Sequence, residues 1–117
     1  MKPSDRLQKA RALIENRLNW CTGSLRNSSG QMCALGAVKS VSALSLSQHG
    51  GAEECDRRLP EHVRYLISAA AVRGEYSVSS RLDAIACVND HYGHRATMEM
   101  FDMAISMAMS DEAANGQ

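Results

Sequence analysis

The sequence predicts an all-α protein that forms a single compact domain of about five helices, and three observations support this. Apolar residues recur at helical intervals over most of the chain. A chain of 117 residues has the length of one domain with one core. Serine, proline and glycine stand at the ends of the apolar stripes, where helices begin and end. We expect residues 1–112 to form the domain and residues 113–117 to be a frayed C-terminal tail.

The first helix is predicted over residues 5–18. Its apolar stripe begins at Leu7 and ends at Leu18, and Ser4 stands before it as a capping residue. The helical pattern then stops, and the polar residues 27–30 are typical of a turn. We therefore expect a short irregular or hairpin segment after the first helix.

Two more helices are predicted in the middle of the chain. The second begins near Cys33 and ends before Gly50, and the third begins at Pro60 and stops at Gly74. A short turn of helix is expected between them, around residues 52–57. Their apolar stripes comprise Ala34, Ala37, Val38, Val41 and Ala43 or Leu44 in the second helix, and Val63, Leu66, Ile67 and Ala70 in the third.

The C-terminal part of the chain predicts two further helices. Ser80 and Asp83 have the spacing of a capping box, which predicts the start of the fourth helix. Residues 91–94 then interrupt the periodic pattern before the last helix begins. The apolar stripe of that helix comprises Phe101, Ala104, Ile105 and Ala108.

An asparagine lies on the apolar side of the fourth helix. Asn89 extends the face formed by Leu82, Ile85 and Ala86. A buried amide without partners costs on the order of 1 to 3 kcal/mol, so we expect Asn89 to bind the irregular residues 19–33. The single tryptophan of the chain, Trp20, lies in that stretch. It is either an exposed binding anchor or a core residue whose indole N–H is bound by Asn89 or by a loop carbonyl, and we favour the second interpretation.

Three short segments differ from ordinary helix-packing sequence. They are Trp20-Cys21-Thr22-Gly23, Cys33-Ala34-Leu35-Gly36-Ala37 and Asn89-Asp90. Over about residues 10–109 the chain resembles a family of small uncharacterised proteins from bacteria and their phages that share these motifs. The resemblance implies a common fold but no activity. We expect Trp20, Cys21, Gly23, Cys33, Gly36, Asn89 and Asp90 to form a structural motif.

A catalytic site is the alternative interpretation of the same residues. Cys33 near the start of a helix would have a lowered pKa, because the helix dipole favours the thiolate. His91 or His94 could act as a base oriented by Asp90, with backbone amides of the helix start binding an oxyanion. This candidate site of Cys33, Asp90 and His94 indicates a cysteine-dependent hydrolase or acyltransferase, or a small-molecule binder. We favour a structural role, in which Cys33 packs under Trp20 while Asp90 and His94 satisfy helix ends.

A zinc site would recruit Cys21, Cys33, His91 and His94, since sulfur and imidazole ligands suit zinc. The two cysteines lack the paired spacing of zinc motifs, and the two histidines flank a glycine turn. We therefore predict no metal and no cofactor.

The overall charge disfavours two classes of partner. Thirteen basic and thirteen acidic residues cancel, so no general attraction to nucleic acid or to an anionic membrane is expected. No apolar stretch approaches the length of a membrane span. The four cysteines are expected to be free thiols, and we expect a cytoplasmic protein.

The last helix carries several methionines. Met100, Met103 and Met107 flank its apolar stripe, and methionine-rich surfaces adapt to varied partners. They indicate either a surface that binds a protein partner or a second copy of the chain, or a methionine-filled core. The leading hypothesis is a small cytoplasmic protein that acts by protein–protein binding, as a phage or mobile-element accessory protein that modulates a host protein.

Overall fold

A computed structural model describes residues 1–42, 59–73 and 81–115 of the chain. Within these ranges the structure is helical, without a regular strand, and the predicted all-α single domain is confirmed. The helices are α1 (Pro3–Ile14), α2 (Ala34–Val41), α3 (Glu61–Arg73), α4 (Arg81–Cys87) and α5 (Gly93–Ala114). A 3-10 turn (Arg17–Asn19) follows α1, and a π-helical turn (Val88–Tyr92) joins α4 to α5.

The core lies where α5 packs against α1 and α3, with α2 seated on α1. Phe101 on α5 is fully buried at this centre. Most residues of the apolar stripes predicted for these helices are buried, as expected, and Val41 and Ile105 are half-buried. The buried stripe residues include Leu7, Ala10, Ile14, Val63, Leu66, Ile67, Ala70, Ala104 and Ala108. Each large aliphatic or aromatic side chain in this set contributes roughly 1.5 to 3 kcal/mol through its removal from water.

The first helix is shorter than predicted. It ends at Ile14, because Asn16 adopts an extended backbone conformation and its side chain accepts the Leu18 N–H at 2.9 Å. This bond starts the 3-10 turn instead of another helical turn. Leu18 is 78% exposed, so its assignment to the apolar stripe is wrong.

The predicted cap of the first helix is also wrong. Ser4 lies inside α1 and is buried, and its hydroxyl donates to the Glu112 carboxylate at 2.7 Å while its N–H donates to the same carboxylate at 3.1 Å. The Lys2 N–H precedes the helix and donates to Asp5. The serine therefore ties the start of α1 to the end of α5, which continues to Ala114. The domain boundary at residue 112 stays a prediction.

The interruption predicted at residues 91–94 is a change of helix geometry. The π-helical turn carries the chain from α4 directly into α5, so residues 81–114 form one nearly continuous helical unit. The described chain thus has four helical units where about five separate helices were expected. Gly93 ends the turn with φ +93°, a conformation that side chains disfavour. The turn directs Asn89 toward the loop between α1 and α2.

Several predicted boundaries in the middle of the chain match the structure. α2 begins after Cys33, and α3 begins directly after Pro60. α2 ends at Val41, because the backbone of Ser42 is extended, so the predicted continuation of this helix directly beyond Val41 is wrong. The rest of that predicted extension, the helical turn at residues 52–57, Gly74 and the Ser80 cap lie outside the described residues. None of the helices in the described ranges combines the length and the apolar character needed to cross a membrane.

Candidate functional site

The loop between α1 and α2 is an irregular hairpin, as predicted. The Asn27 N–H donates to the Gln31 carbonyl at 3.0 Å, and the Gly30 N–H donates to the Asn27 carbonyl at 3.1 Å. The Asn27 side chain accepts the N–H groups of Ser29 and Gln31 and closes the turn from within. Gly30 has φ +83°, where the absence of a side chain removes the steric cost.

Below this turn the two arms of the loop run side by side. The Met32 N–H donates to the Asn19 carbonyl, and the Cys21 N–H donates to the Met32 carbonyl, both at 3.0 Å. These bonds form an isolated parallel bridge between Trp20 and Met32. The loop backbone is therefore ordered in part by hydrogen bonds within the loop itself.

Asn89 connects this loop to the helical body. Its Oδ1 accepts the Trp20 indole N–H at 2.7 Å and the Ala34 N–H at 3.0 Å, and its Nδ2 donates to the Cys21 carbonyl at 3.0 Å. The side chain is completely buried. The prediction that Asn89 holds residues 19–33 is confirmed, and so is its bond to Trp20. Trp20 itself is half-buried and packs on the core.

Asp90 holds the same loop from outside. Its Oδ1 accepts the Gly23 N–H at 3.1 Å and the Asn89 Nδ2 at 2.9 Å. Gly23 has φ +80°, so the bend that presents this N–H favours glycine. The contact between Asp90 and Gly23 was not predicted, since it depends on the backbone bend at Gly23.

His94 supports the other side of Trp20. The two rings meet edge to face, with centroids 5.2 Å apart, and His94 Nε2 lies 2.8 Å from the Ile14 carbonyl oxygen. Because a carbonyl oxygen accepts, Nε2 carries a proton and donates. The candidate base is thus engaged with the last residue of α1. The expectation that His94 satisfies a helix end is confirmed.

Gly36 permits the loop to lie directly on α2. A Cβ atom at this position would stand 1.9 Å from the Leu25 carbonyl oxygen. That distance is far below van der Waals contact, so the backbone of the loop and the helix touch where the side chain would be. The same carbonyl accepts the Cys33 N–H at 3.2 Å. Glycine in this motif is therefore a packing requirement.

Cys33 caps α2 in a way that the catalytic hypothesis did not anticipate. Its Sγ accepts the Gly36 N–H at 3.5 Å, while the Ala34 N–H is taken by Asn89. Burial raises the pKa of the Cys33 thiol, and this outweighs the opposing hydrogen bonds from Gly36 and Leu35. The expected lowering of the pKa is therefore wrong, and the amides proposed to bind an oxyanion already have acceptors.

Cys21 is the second buried thiol of the site. Its Sγ lies 3.5 Å from the carbonyl oxygens of Ser24 and Gln31, which share its one S–H proton. Burial, followed by the proximity of Cys33, raises the pKa of Cys21.

Over residues 1–42, 59–73 and 81–115, no three of the histidine, cysteine, aspartate and glutamate side chains are grouped to hold a metal ion. His91 is exposed.

The methionines of α5 divide between core and surface. Met100 is completely buried and Met98 is buried, whereas Met103 and Met107 are half-buried. Met100 lies on the face that points into the core, so its assignment to a binding surface is wrong. Met109, which is 53% exposed, is the methionine of α5 most available to solvent.

The most distinctive exposed surface surrounds the contact between the loop and the π-helical turn. We call it the junction surface, and it comprises Leu18, Gly23, Asp90, His91 and Tyr92. Leu18 lies between Ile14 and Trp20, which both contact His94, and Tyr92 precedes His94 by two residues. An exposed leucine and an exposed tyrosine thus each lie close in sequence to the residues that make the buried contacts of His94. Leu18 is 78% exposed and Tyr92 is 51% exposed.

Comparison with known proteins gives a family but no activity. The model of the family of unknown function DUF6197 matches residues 1–107, which include all three motif segments. No curated protein and no solved structure matches the chain. Since the family match spans nearly the whole chain, the protein belongs to the DUF6197 family, a family of unknown function.

Proposed function

We propose that the protein is a binding module that contacts a partner protein through the junction surface. The observation that carries the proposal is the exposure of Leu18 and Tyr92 beside the buried contacts of Trp20, Asn89 and His94. Large apolar side chains are normally buried, and tyrosine is enriched at protein interfaces. An exposed pair above an ordered polar network is a suitable anchor for a partner.

Because the loop is already ordered, binding a partner would cost little conformational entropy. Ordering a loop or a side chain on association reduces affinity, and a surface fixed in advance avoids much of this cost. Asn89 and Asp90 fix the loop from the π-helical turn, and Asn27 closes its far end. A partner would therefore meet a surface whose backbone is already ordered.

The chemistry of the surface defines the partner that it would accept. Asp90 Oδ1 accepts two hydrogen bonds, and Oδ2 accepts none from the part of the chain that the structure describes. We propose a protein segment that covers Leu18 and Tyr92 with an apolar side chain and offers an N–H group or a cation to Asp90. An exposed carboxylate on this surface disfavours nucleic acid phosphates.

We propose that this partner is a host protein met in the bacterial cytoplasm, where the chain would act as an accessory protein of a phage or mobile element. This part of the proposal is supported by the family resemblance and the small size of the chain. A homodimer formed through the same surface is the competing outcome. Binding along the methionine edge of α5, at Met103 and Met107, is a second competing outcome.

The proposal is tested by site-specific photo-crosslinking in bacterial cells. A photoreactive phenylalanine analogue replaces Tyr92 in one sample and Met109 in the other, both of which are exposed positions. We expect a discrete protein crosslink from position 92, identified by mass spectrometry, that disappears in Leu18→Asp. The identified protein is then purified and its affinity for the wild-type chain is measured by calorimetry.

The matched control is Met109→Asp, which adds the same charge at an exposed apolar residue of α5. We expect Leu18→Asp to weaken binding to the purified partner at least about tenfold, the loss of roughly 1.4 kcal/mol that one anchor supplies, and Met109→Asp to leave it unchanged. Crosslinks that arise mainly from position 109 would contradict the proposed surface. A crosslink between two copies of the chain would replace the host partner with a homodimer.

A further inference from the structure

The parallel bridge in the loop places two cysteines next to each other. The backbone bonds of Met32 to Asn19 and to Cys21 pair Trp20 with Met32 in parallel register. The bridge is isolated, and Cys21 and Cys33 are the residues that directly follow its two members. Neighbouring residues on paired strands lie about 4.8 Å apart, within the Cα separation of about 4.4 to 6.8 Å that a disulfide spans.

The amide of Asn89 supports the same placement independently. One end of this single group donates to the Cys21 carbonyl, and the other end accepts the N–H of Ala34, the residue that follows Cys33. A side-chain amide is only a few ångströms across, so it bridges the two backbone segments where the next bond of the parallel pair would run and keeps them close together. Both thiols are reduced and buried, with Cys21 9% exposed and Cys33 5% exposed.

We propose that Cys21 and Cys33 are a dithiol that closes to a reversible disulfide when the protein meets a low-molecular-weight disulfide such as oxidised glutathione. The Cys21 thiolate attacks one sulfur of the glutathione disulfide, which forms a mixed disulfide and releases one glutathione thiolate. The Cys33 thiolate then attacks the Cys21 sulfur, which forms the protein disulfide and releases the second glutathione. The protein loses two electrons and two protons, and oxidised glutathione is reduced to two thiols.

Formation of the disulfide would break contacts that the two thiols now make in the loop and at the start of α2. Cys33 Sγ must leave the Gly36 N–H that it now caps, and Cys21 Sγ must leave the Ser24 and Gln31 carbonyls. The first turn of α2 loses a capping acceptor as a result. Burial raises the pKa of both thiols, which keeps them protonated at neutral pH and slows the exchange. The pair therefore responds to sustained oxidation.

The test is incubation of the native protein with oxidised glutathione, followed by blocking of the remaining thiols with N-ethylmaleimide in denaturant. Trypsin cuts after Arg26, so the two cysteines fall on separate peptides, 18–26 and 27–39. We expect these peptides to be linked, with two of the four thiols of the chain lost and the link reversed by dithiothreitol. The yield of this link at equilibrium should fall when the incubation is repeated in urea, because unfolding separates the two cysteines.

Single-cysteine variants separate the proposed pair from other thiols. Cys87→Ser, at a half-buried cysteine outside the pair, should form the link as wild type does, and Cys33→Ser should stop at a glutathione adduct on Cys21. A link to Cys55 or Cys87, a persistent glutathione adduct in the wild type, an equal yield in urea, or retention of all free thiols would each overturn the proposal. The Cys87→Ser result stands even where Cys33→Ser fails to fold.

Discussion

The indole N–H of Trp20 donates to Oδ1 of Asn89 at 2.7 Å, across 69 residues of sequence. The same oxygen accepts the Ala34 N–H at the start of α2. One buried oxygen thus joins the loop, the π-helical turn and a helix N-terminus. Because both donors belong to the loop and the helix start while the acceptor comes from the π-helical turn, this one side chain fixes the loop to the C-terminal part of the chain.

Replacement of Asn89 by alanine should strongly destabilise the protein. The change leaves the Trp20 indole N–H, the Ala34 N–H and the Cys21 carbonyl without their present partner. Since each buried polar group without a partner costs about 1 to 3 kcal/mol and water can enter the vacated space, we expect the free energy of unfolding to fall by about 3 kcal/mol. Urea denaturation followed by circular dichroism measures the difference.

Asn19→Ala is the matched control, because Asn19 is an exposed asparagine of the same loop. We expect its free energy of unfolding to stay within about 0.5 kcal/mol of wild type. The proposed role of Asn89 is wrong if the two variants are equally stable. Near-ultraviolet circular dichroism of the single tryptophan should change in Asn89→Ala alone, because only this variant removes the partner of the indole.

Sequence reasoning identified Asn89 because a polar residue stood on an apolar helical face, where burial forces it to find partners. The same reasoning could not pair Asp90 with Gly23. Both residues are exposed, and their contact depends on a backbone bend with φ +80°. The helix α1 also ends at Ile14, four residues before the last residue of its predicted apolar stripe, Leu18. It ends there because the side chain of Asn16 accepts the Leu18 N–H.

The roles of sulfur-containing residues were the hardest to predict. Methionines on α5 occur at helical spacing on more than one face, and the sequence does not show which face the core covers. Packing against α1 and α3 buried Met100 and left Met109 exposed. For Cys33, the sequence correctly placed the thiol at a helix start, but the direction of its pKa shift depends on burial, which only the folded loop supplies.

Gly36→Ala should destabilise the protein even though alanine normally stabilises a helix by about 1 kcal/mol over glycine. The new Cβ would lie 1.9 Å from the Leu25 carbonyl oxygen, so the loop must shift. We expect a loss of about 2 kcal/mol in the free energy of unfolding, typical of an overpacked contact. Urea denaturation gives the sign, and a stabilised Gly36→Ala variant would show that the loop does not rest on α2.

Gly30→Ala is the comparison for Gly36→Ala, because it introduces backbone strain without a steric clash. A Cβ at Gly30 meets nothing within 4 Å, but φ is +83°. We expect a loss of about 1 to 2 kcal/mol, which comes from the left-handed conformation alone. Cys33 and Leu25 should lose their backbone hydrogen bond in Gly36→Ala but keep it in Gly30→Ala, and amide hydrogen exchange at Cys33 reports this difference.

Buried His62 should make the protein less stable in mild acid. The Ser42 hydroxyl donates to the Val38 carbonyl at 2.7 Å, so its oxygen accepts from His62 Nε2, also at 2.7 Å. A neutral imidazole with its proton on Nε2 satisfies this contact. Burial, together with the charge of Arg6, lowers the pKa of His62 to about 4.

The lowered pKa sets the direction and the range of the effect. In the unfolded chain His62 gains a proton near its ordinary pKa of about 6.5, whereas in the folded protein it stays neutral down to a pKa of about 4. The unfolded state therefore binds more protons between these values, and stability falls as the pH falls through this range. The shift corresponds to a loss of about 3 kcal/mol, complete below the folded pKa.

Denaturation curves collected between pH 7 and pH 4 test this expectation in wild type, His62→Gln and His91→Gln. His62→Gln removes the titrating group and should flatten the decline in the free energy of unfolding, whatever its stability at pH 7. His91→Gln changes an exposed histidine and should follow the wild-type profile. Parallel profiles for all three proteins would mean that the pKa of His62 is the same in the folded and unfolded states, which the burial of His62 and the nearby Arg6 charge both oppose.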